Sequence, residues 1–230
     1  MTPRAVLFDK DGTLFDFGAT WNVFAQRLLG RLAEGDMALA ARAAEAVRFD
    51  LARGVFLPDS PAIAGTNRQI AEILAGVMPY GVDALEVMIV EEAAETPLAE
   101  AAPLGPLLDG LRGRGLRLGV MTNDTESVAE AHLGRAGVRS RFDFVAGADS
   151  GWGAKPSPGP LLAFADAVDV LPGQVVMVGD STHDLIAGRA AGMLCVGVLT
   201  GMAGREVLHP HADAVLPDIG HLPGWLDGLR

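Results

Sequence analysis

Near the N-terminus four apolar residues in a row, Ala5-Val6-Leu7-Phe8, empty into Asp9-Lys10-Asp11-Gly12. An unbroken apolar run predicts a strand covered on both faces, as in the middle of a parallel sheet, where side chains need not alternate with polar ones. Past Asp16 the period becomes helical. Trp21, Phe24, Leu28 and Leu32 predict a helix over about Thr20 to Leu32, and Gly35-Asp36 ends it and caps a second helix through Leu51. Gly54 stops that helix. Ser60-Pro61 offers an N-cap and first-turn proline for a helix containing Ile70, Ile73 and Leu74, and another runs from about Val82 to Glu95 before Pro97. No segment of this block reads as a strand.

From Pro103 strands and helices alternate at short intervals. Leu107, Leu108 and Leu111 mark a helix, Leu116 to Met121 a strand, Thr125 to Ala136 a helix closed by Gly137, and Phe144 to Ala146 a short strand. Pro160 to Val168 reads as helix, Gln174 to Val178 as strand, Leu185 to Ala191 as helix, Leu194 to Leu199 and Ala214 to Leu216 as strands, with a last helix near Trp225. The fold class expected is α/β: a doubly wound, mainly parallel, Rossmann-like sheet with right-handed crossovers. Residues 1–16 and 101–230 form its core, and residues 17–100 an all-helical cap inserted after the first strand. Such an insertion leaves from the sheet edge where ligands bind, so a lid is expected, with a decorative helical subdomain as the alternative.

Composition narrows the partners. Half of the 230 residues are hydrophobic, the net charge is −11 and the pI is near 4.8, with no block of Lys or Arg. A nucleic-acid or anionic membrane partner is not expected. Cys195 is the only cysteine, so no disulfide forms within the chain. With no signal-like N-terminus and no membrane-length apolar run, a cytoplasmic monomer or homodimer acting on a small molecule is expected.

Chemistry collects where strands end. Asp9 and Asp11 close the first strand. Thr122-Asn123-Asp124 closes the strand before a helix, offering a hydroxyl and free backbone N–H groups to an anion, or else simply capping that helix. Lys155 is pinned between Gly153 and two prolines, which suits a cation held in place, although turn lysines are ordinarily solvated. Gly179-Asp180-Ser181-Thr182-His183-Asp184 brings two more acids, spaced to bracket a cation such as Mg²⁺; a helix cap alone would not need both. Nucleophile, lysine, hydroxyl and metal-binding acids are what phosphoryl transfer requires.

With Asp9-Lys10-Asp11-Gly12-Thr13-Leu14-Phe15-Asp16, Thr122-Asn123, Lys155-Pro156 and Gly179 to Asp184 in this order, the chain resembles the haloacid dehalogenase superfamily, and within it the phosphoglycolate phosphatase type. The resemblance implies a Mg²⁺-dependent phosphatase of small phosphorylated metabolites, phosphoglycolate or a similar acid or sugar, working through an aspartyl-phosphate. It makes Asp9 the nucleophile and Asp11 the general acid and base. Thr122 and Lys155, with Lys10 and Asn123, would bind the phosphoryl group. Asp9 and Asp180 would ligate Mg²⁺, joined by the Asp11 backbone carbonyl, with Asp184 assisting directly or through water. Dehalogenases of this type lack the second acid, and phosphonate hydrolysis uses a lysine from the insertion, which here has none. A phosphomutase is the alternative, and a non-catalytic binding protein on the same fold a more distant one.

Relatives of this type commonly carry lysine after Thr-Asn, whereas Asp124 stands here, and an acid beside a phosphate site is expected to disfavour a doubly anionic substrate. Arg27, Arg48, Arg53 and Arg68 of the insertion could meet a substrate's anionic tail, though a solvated helix face explains most of them. His183 is expected to face a loop, His209 and His211 to lie on the surface, and His132 to have no special role.

Overall fold

The computed structural model describes residues 2–229. Its elements, in chain order, begin with β1 (Ala5–Phe8), α1 (Phe17–Ala33), α2 (Met37–Ala46), β2 (Phe49–Asp50), β3 (Val55–Phe56), α3 (Asn67–Ala75) and α4 (Val82–Glu95). There follow α5 (Leu104–Gly113), β4 (Arg117–Met121), α6 (Glu126–Arg135), β5 (Phe144–Ala146), α7 (Gly159–Ala167) and β6 (Val175–Gly179). The chain ends with α8 (Thr182–Ala190), β7 (Leu194–Val198), α9 (Arg205–Leu208), β8 (Ala214–Leu216) and α10 (Leu222–Asp227). Two compact units result: Met1–Phe17 with Ala99–Arg230, and Gly18–Leu98.

The first unit is the α/β core. Its six strands run parallel in the order β5-β4-β1-β6-β7-β8. All four β1 side chains are fully buried, which is why the strand carries no polar position. Ala5 and Leu7 pack with Met177, Phe164, Leu161 and Ala187 on one face, while Phe8 meets Phe142 edge to face at 6.4 Å. Gly119 on β4 lets the Phe164 ring lie against the sheet, since a Cβ there would fall 2.6 Å from the ring. The register places Phe8 opposite both Val120 and Val178, so β4 and β6 run one residue beyond β1 and the three strands finish side by side. After β1 the chain turns toward β4, and after β6 toward β7. The reversal makes β1 and β6 the switch point at which open sheets form a ligand crevice.

The second unit is helical, with α3 packed on α4 around Ile70, Leu74, Leu85 and Ile89. It also contains an antiparallel ribbon of β2 and β3, which corrects the expectation that the block holds no strand. Helix α2 stops at Ala46, five residues short of Leu51, because Arg48 takes a positive φ of 56° that no α-helix continues. Phe49 then pairs with Phe56, rings 5.0 Å apart. Ser60-Pro61 starts only a 3₁₀ turn, Pro61–Ile63. The helix with Ile70 begins afresh at Thr66, whose side chain forms a capping box with Gln69. No described helix is long and apolar enough to cross a membrane.

Candidate active site

Asp9 is the first residue beyond β1, and its N–H is held by the Val178 carbonyl at 2.8 Å. Lys155, from the loop after β5, donates to Asp9 Oδ1 at 2.6 Å and to the Met121 carbonyl at 2.8 Å, and pairs with Asp184 Oδ1 at 2.7 Å. Its backbone is clamped from both sides by Asn123, whose Nδ2 donates to the Lys155 carbonyl and whose Oδ1 accepts the Lys155 N–H, each at 2.9 Å. The side-chain amide expected to bind phosphate is thus spent on orienting the lysine. Ser181 caps α8, and both its N–H and its hydroxyl donate to Asp184 Oδ2, at 3.0 and 2.7 Å. The capping alternative therefore accounts for half of Asp184 and leaves Asp180 unexplained.

Asp9, Asp180 and Asp184 are buried and each offers a carboxylate oxygen within 4.8 Å of the other two. Burial pushes the Asp9 carboxyl up to about 7, opposed by Lys155 and helped by Asp184 and Asp11. Burial also raises Asp180 well above the carboxylate range, and the charges of Asp9 and Asp184 add to the effect. Burial alone would lower Lys155, but Asp184 and Asp9 outweigh it and hold the ammonium above the ordinary lysine range. Ionising all three carboxylates beside one ammonium would leave two negative charges without compensation, which is why burial resists it. Asp9 Oδ2 is buried with no hydrogen-bond partner. An all-oxygen donor set with this charge deficit fits a hard divalent cation.

Glycines leave room for the acids. A Cβ on Gly12, which has a φ of +84°, or on Gly201 would collide with the Asp180 carboxylate, and one on Gly179 with that of Asp184. The sequence reading missed Thr200 and Gly201, which follow β7. Thr200 Oγ1 donates to the Gly12 carbonyl at 2.6 Å, and its own carbonyl accepts the Phe17 N–H at 3.2 Å. A hydroxyl and a glycine at a strand end were the available signal, but no acid accompanied them.

The Asp11 carboxylate lies outside the acidic trio. Its Oδ1 accepts from Lys10 Nζ at 2.7 Å and its Oδ2 from Thr122 Oγ1 at 3.4 Å. Thr122 does not cap α6; Thr125 does, accepting the Val128 N–H. Lys10, expected on the phosphoryl group, is instead fully buried, its ammonium also bonded to Asp124 Oδ2 at 3.2 Å and 3.1 Å from His132 Nδ1. Burial would lower Lys10, but Asp11 and Asp124 hold it above its usual range. Two expectations change with it. Asp124 turns its charge into the core toward Lys10 rather than toward a substrate, and His132 is buried beside that pair. In the helical unit Arg27 pairs with Glu92, Arg48 with Asp59, and Arg68 with Asp83 and Glu86, so these three are engaged by acids of their own unit.

Residues 3–192 match the family described as haloacid dehalogenase-like hydrolases. The chain is 32% identical to a phosphoglycolate phosphatase of Rhodospirillum rubrum, over 97% of this chain and 91% of that protein. It is 34% identical to one of Neisseria meningitidis, over 99% and 94%. Among solved structures, CbbY from Rhodobacter sphaeroides in complex with phosphate is 25% identical, covers 98% of this chain and all of its own, and superposes with a TM-score of 0.73.

Proposed function

The chain belongs to the haloacid dehalogenase-like hydrolase family and is a phosphatase of small phosphorylated metabolites, and we propose that it cleaves 2-phosphoglycolate or a similar small phosphorylated acid through an aspartyl-phosphate on Asp9. The observation that carries this reading is the Asp9 carboxylate, one oxygen fixed by Lys155 and the other buried without a partner. Asp9 attacks phosphorus, forming an O–P bond as the bond to the alcohol oxygen breaks, and Asp11 gives that oxygen its proton. Asp11 then takes a proton from water, which attacks the same phosphorus, freeing phosphate and restoring Asp9. Lys155 and Thr122 hold the phosphoryl oxygens, the Thr122 hydroxyl turning to them from its long 3.4 Å contact with Asp11, and Lys155, anchored on the Met121 carbonyl, also fixes the approach of Asp9.

Asp9, Asp180 and Asp184, with the Asp11 backbone carbonyl, would hold Mg²⁺, which supplies charge neutralisation at the phosphoryl group. The helical insertion leaves the core just past Asp9 and Asp11 in the chain, which supports its role as a cap. Because Asp124 turns its carboxylate into the core toward Lys10, the acid after Thr-Asn is no argument against an anionic substrate.

The test is a panel of phosphate esters that includes 2-phosphoglycolate, assayed in Mg²⁺ and in EDTA, for the wild type and Asp9→Asn. Free phosphate is expected from the wild type in Mg²⁺ only, and a sugar phosphate should not be isomerised. Equal release by the variant overturns the reading.

A further inference from the structure

Among the 18 lysines and arginines of this chain only two are lysines, Lys10 and Lys155. Both are buried in the core, Lys10 just past β1 and Lys155 in the loop after β5, and the mechanism above uses only Lys155. Lys10 makes its shortest ion pair not with a distant structural partner but with Asp11, at 2.7 Å. Its second, with Asp124 at 3.2 Å, closes a circuit: the Asp124 N–H donates to Thr122 Oγ1 at 3.1 Å, and Thr122 Oγ1 donates to Asp11 Oδ2 at 3.4 Å. Both Asp11 oxygens are thereby tied, one to a buried cation and one, at 3.4 Å, to the hydroxyl of the residue just past β4. Around the ammonium, Asp124 Oδ1 is occupied by the Thr125 N–H at 2.7 Å. The His132 ring from α6 lies with Nδ1 3.1 Å from the ammonium and packs edge to face on Phe15 at 6.2 Å. Every member of the circuit other than Asp11 is buried.

An acid that must deliver a proton to one oxygen and recover one from water needs a fixed direction, and a carboxylate on a solvent-accessible turn does not have one by itself. We propose that Lys10, braced by Asp124, is a positioning residue that fixes the Asp11 carboxylate for proton transfer to the leaving alcohol. The inference rests on the reading of Asp11 as the general acid and base.

The test removes both charges at once, Lys10→Met with Asp124→Asn, so that no buried charge is left alone, and sets this variant beside Asp11→Asn. The values of kcat/KM, which report the steps up to the phosphoenzyme, are measured on p-nitrophenyl phosphate, whose leaving group needs little help from an acid. They are measured also on 2-phosphoglycolate or glycerol 2-phosphate, whichever the wild type cleaves faster. The double variant is expected to lose about 100-fold on the alkyl ester, the scale of general acid catalysis, and less than about tenfold on the aryl ester. Inhibition by inorganic phosphate should stay unchanged. Equal losses on both esters, or none, overturn the positioning role. If Asp11→Asn itself lacks the preference for alkyl loss, the general-acid reading fails and this inference falls with it; if Asp11→Asn has the preference and the double variant does not, only this inference fails. Because the chain has two lysines, ¹⁵N-lysine labelling gives two ammonium resonances, a readout that does not need the double variant to fold. Asp11→Asn is expected to shift the Lys10 resonance more than that of Lys155, and an unmoved Lys10 resonance contradicts the contact.

Discussion

Replacing Lys155 by methionine removes the only cation from a buried group of three carboxylates. The ammonium contacts Asp9 and Asp184 at 2.6 and 2.7 Å and is almost wholly shielded from water. Removing one member of a buried ion pair costs about 3–5 kcal/mol, because the other charge stays buried without compensation. In a chain of this length that corresponds to a fall in Tm of roughly 6–20 °C. The variant's deficit in charge is one unit greater, so Mg²⁺ should raise its Tm by more than it raises that of the wild type. Adding Asp184→Asn should recover part of the loss, since removing both partners leaves less charge stranded. Differential scanning calorimetry of the wild type, Lys155→Met and the double variant, each in EDTA and in Mg²⁺, measures all three effects. A variant with unchanged Tm in EDTA, and no larger response to Mg²⁺, would refute the argument that this lysine balances the acidic trio.

Three other outcomes follow from the same geometry. The Asp9 carboxyl is raised from 3.8 to about 7, so the stability tied to its protonated form is complete below about pH 4 and lost as the pH rises through about 7. In EDTA the wild type should therefore lose Tm across that window relative to Asp9→Asn, and a pH-independent difference between the two contradicts it. Gly119→Ala should lower stability by about 1–3 kcal/mol by driving a methyl group into the Phe164 ring, which urea denaturation would detect as a shifted midpoint at constant slope. Gly201→Ala should displace the Asp180 carboxylate and weaken Mg²⁺ binding by calorimetric titration while the far-ultraviolet spectrum stays the same; unaltered affinity would mean that the loop after β7 has no part in the site.

The sheet was legible because burial on both faces imposes a simple pattern. Ala5–Phe8 and Val175–Gly179 could be read as strands from their apolar runs alone, and the polar residues that follow mark the carboxyl edge. The insertion was harder. Its ribbon is two residues per strand, too short for alternation to appear, and the positive φ at Arg48 that ends α2 occurs at a residue type that gives no warning. At the site, residue type revealed which groups collect but not which way they face. Lys10 and Asp124 are separated by 113 intervening positions, and nothing local shows that each buries its charge against the other. Asn123 looked like a phosphate ligand because it follows Thr122, yet its amide is the right length to bridge the Lys155 peptide groups. Thr200 and Gly201 carried no charge to attract notice; Thr200 holds the Gly12 carbonyl, and Gly201 leaves space around Asp180.

The mechanism requires the phosphoryl group to pass through Asp9. Wild-type enzyme mixed with substrate in Mg²⁺, quenched in acid within one turnover and digested at low pH, can be examined by mass spectrometry for the peptide containing Asp9. This peptide should gain the mass of one phosphoryl group, hydroxylamine should remove it, and Asp9→Asn should never acquire it. A stable label on another residue, or turnover by Asp9→Asn at the wild-type rate, would exclude an aspartyl-phosphate on Asp9.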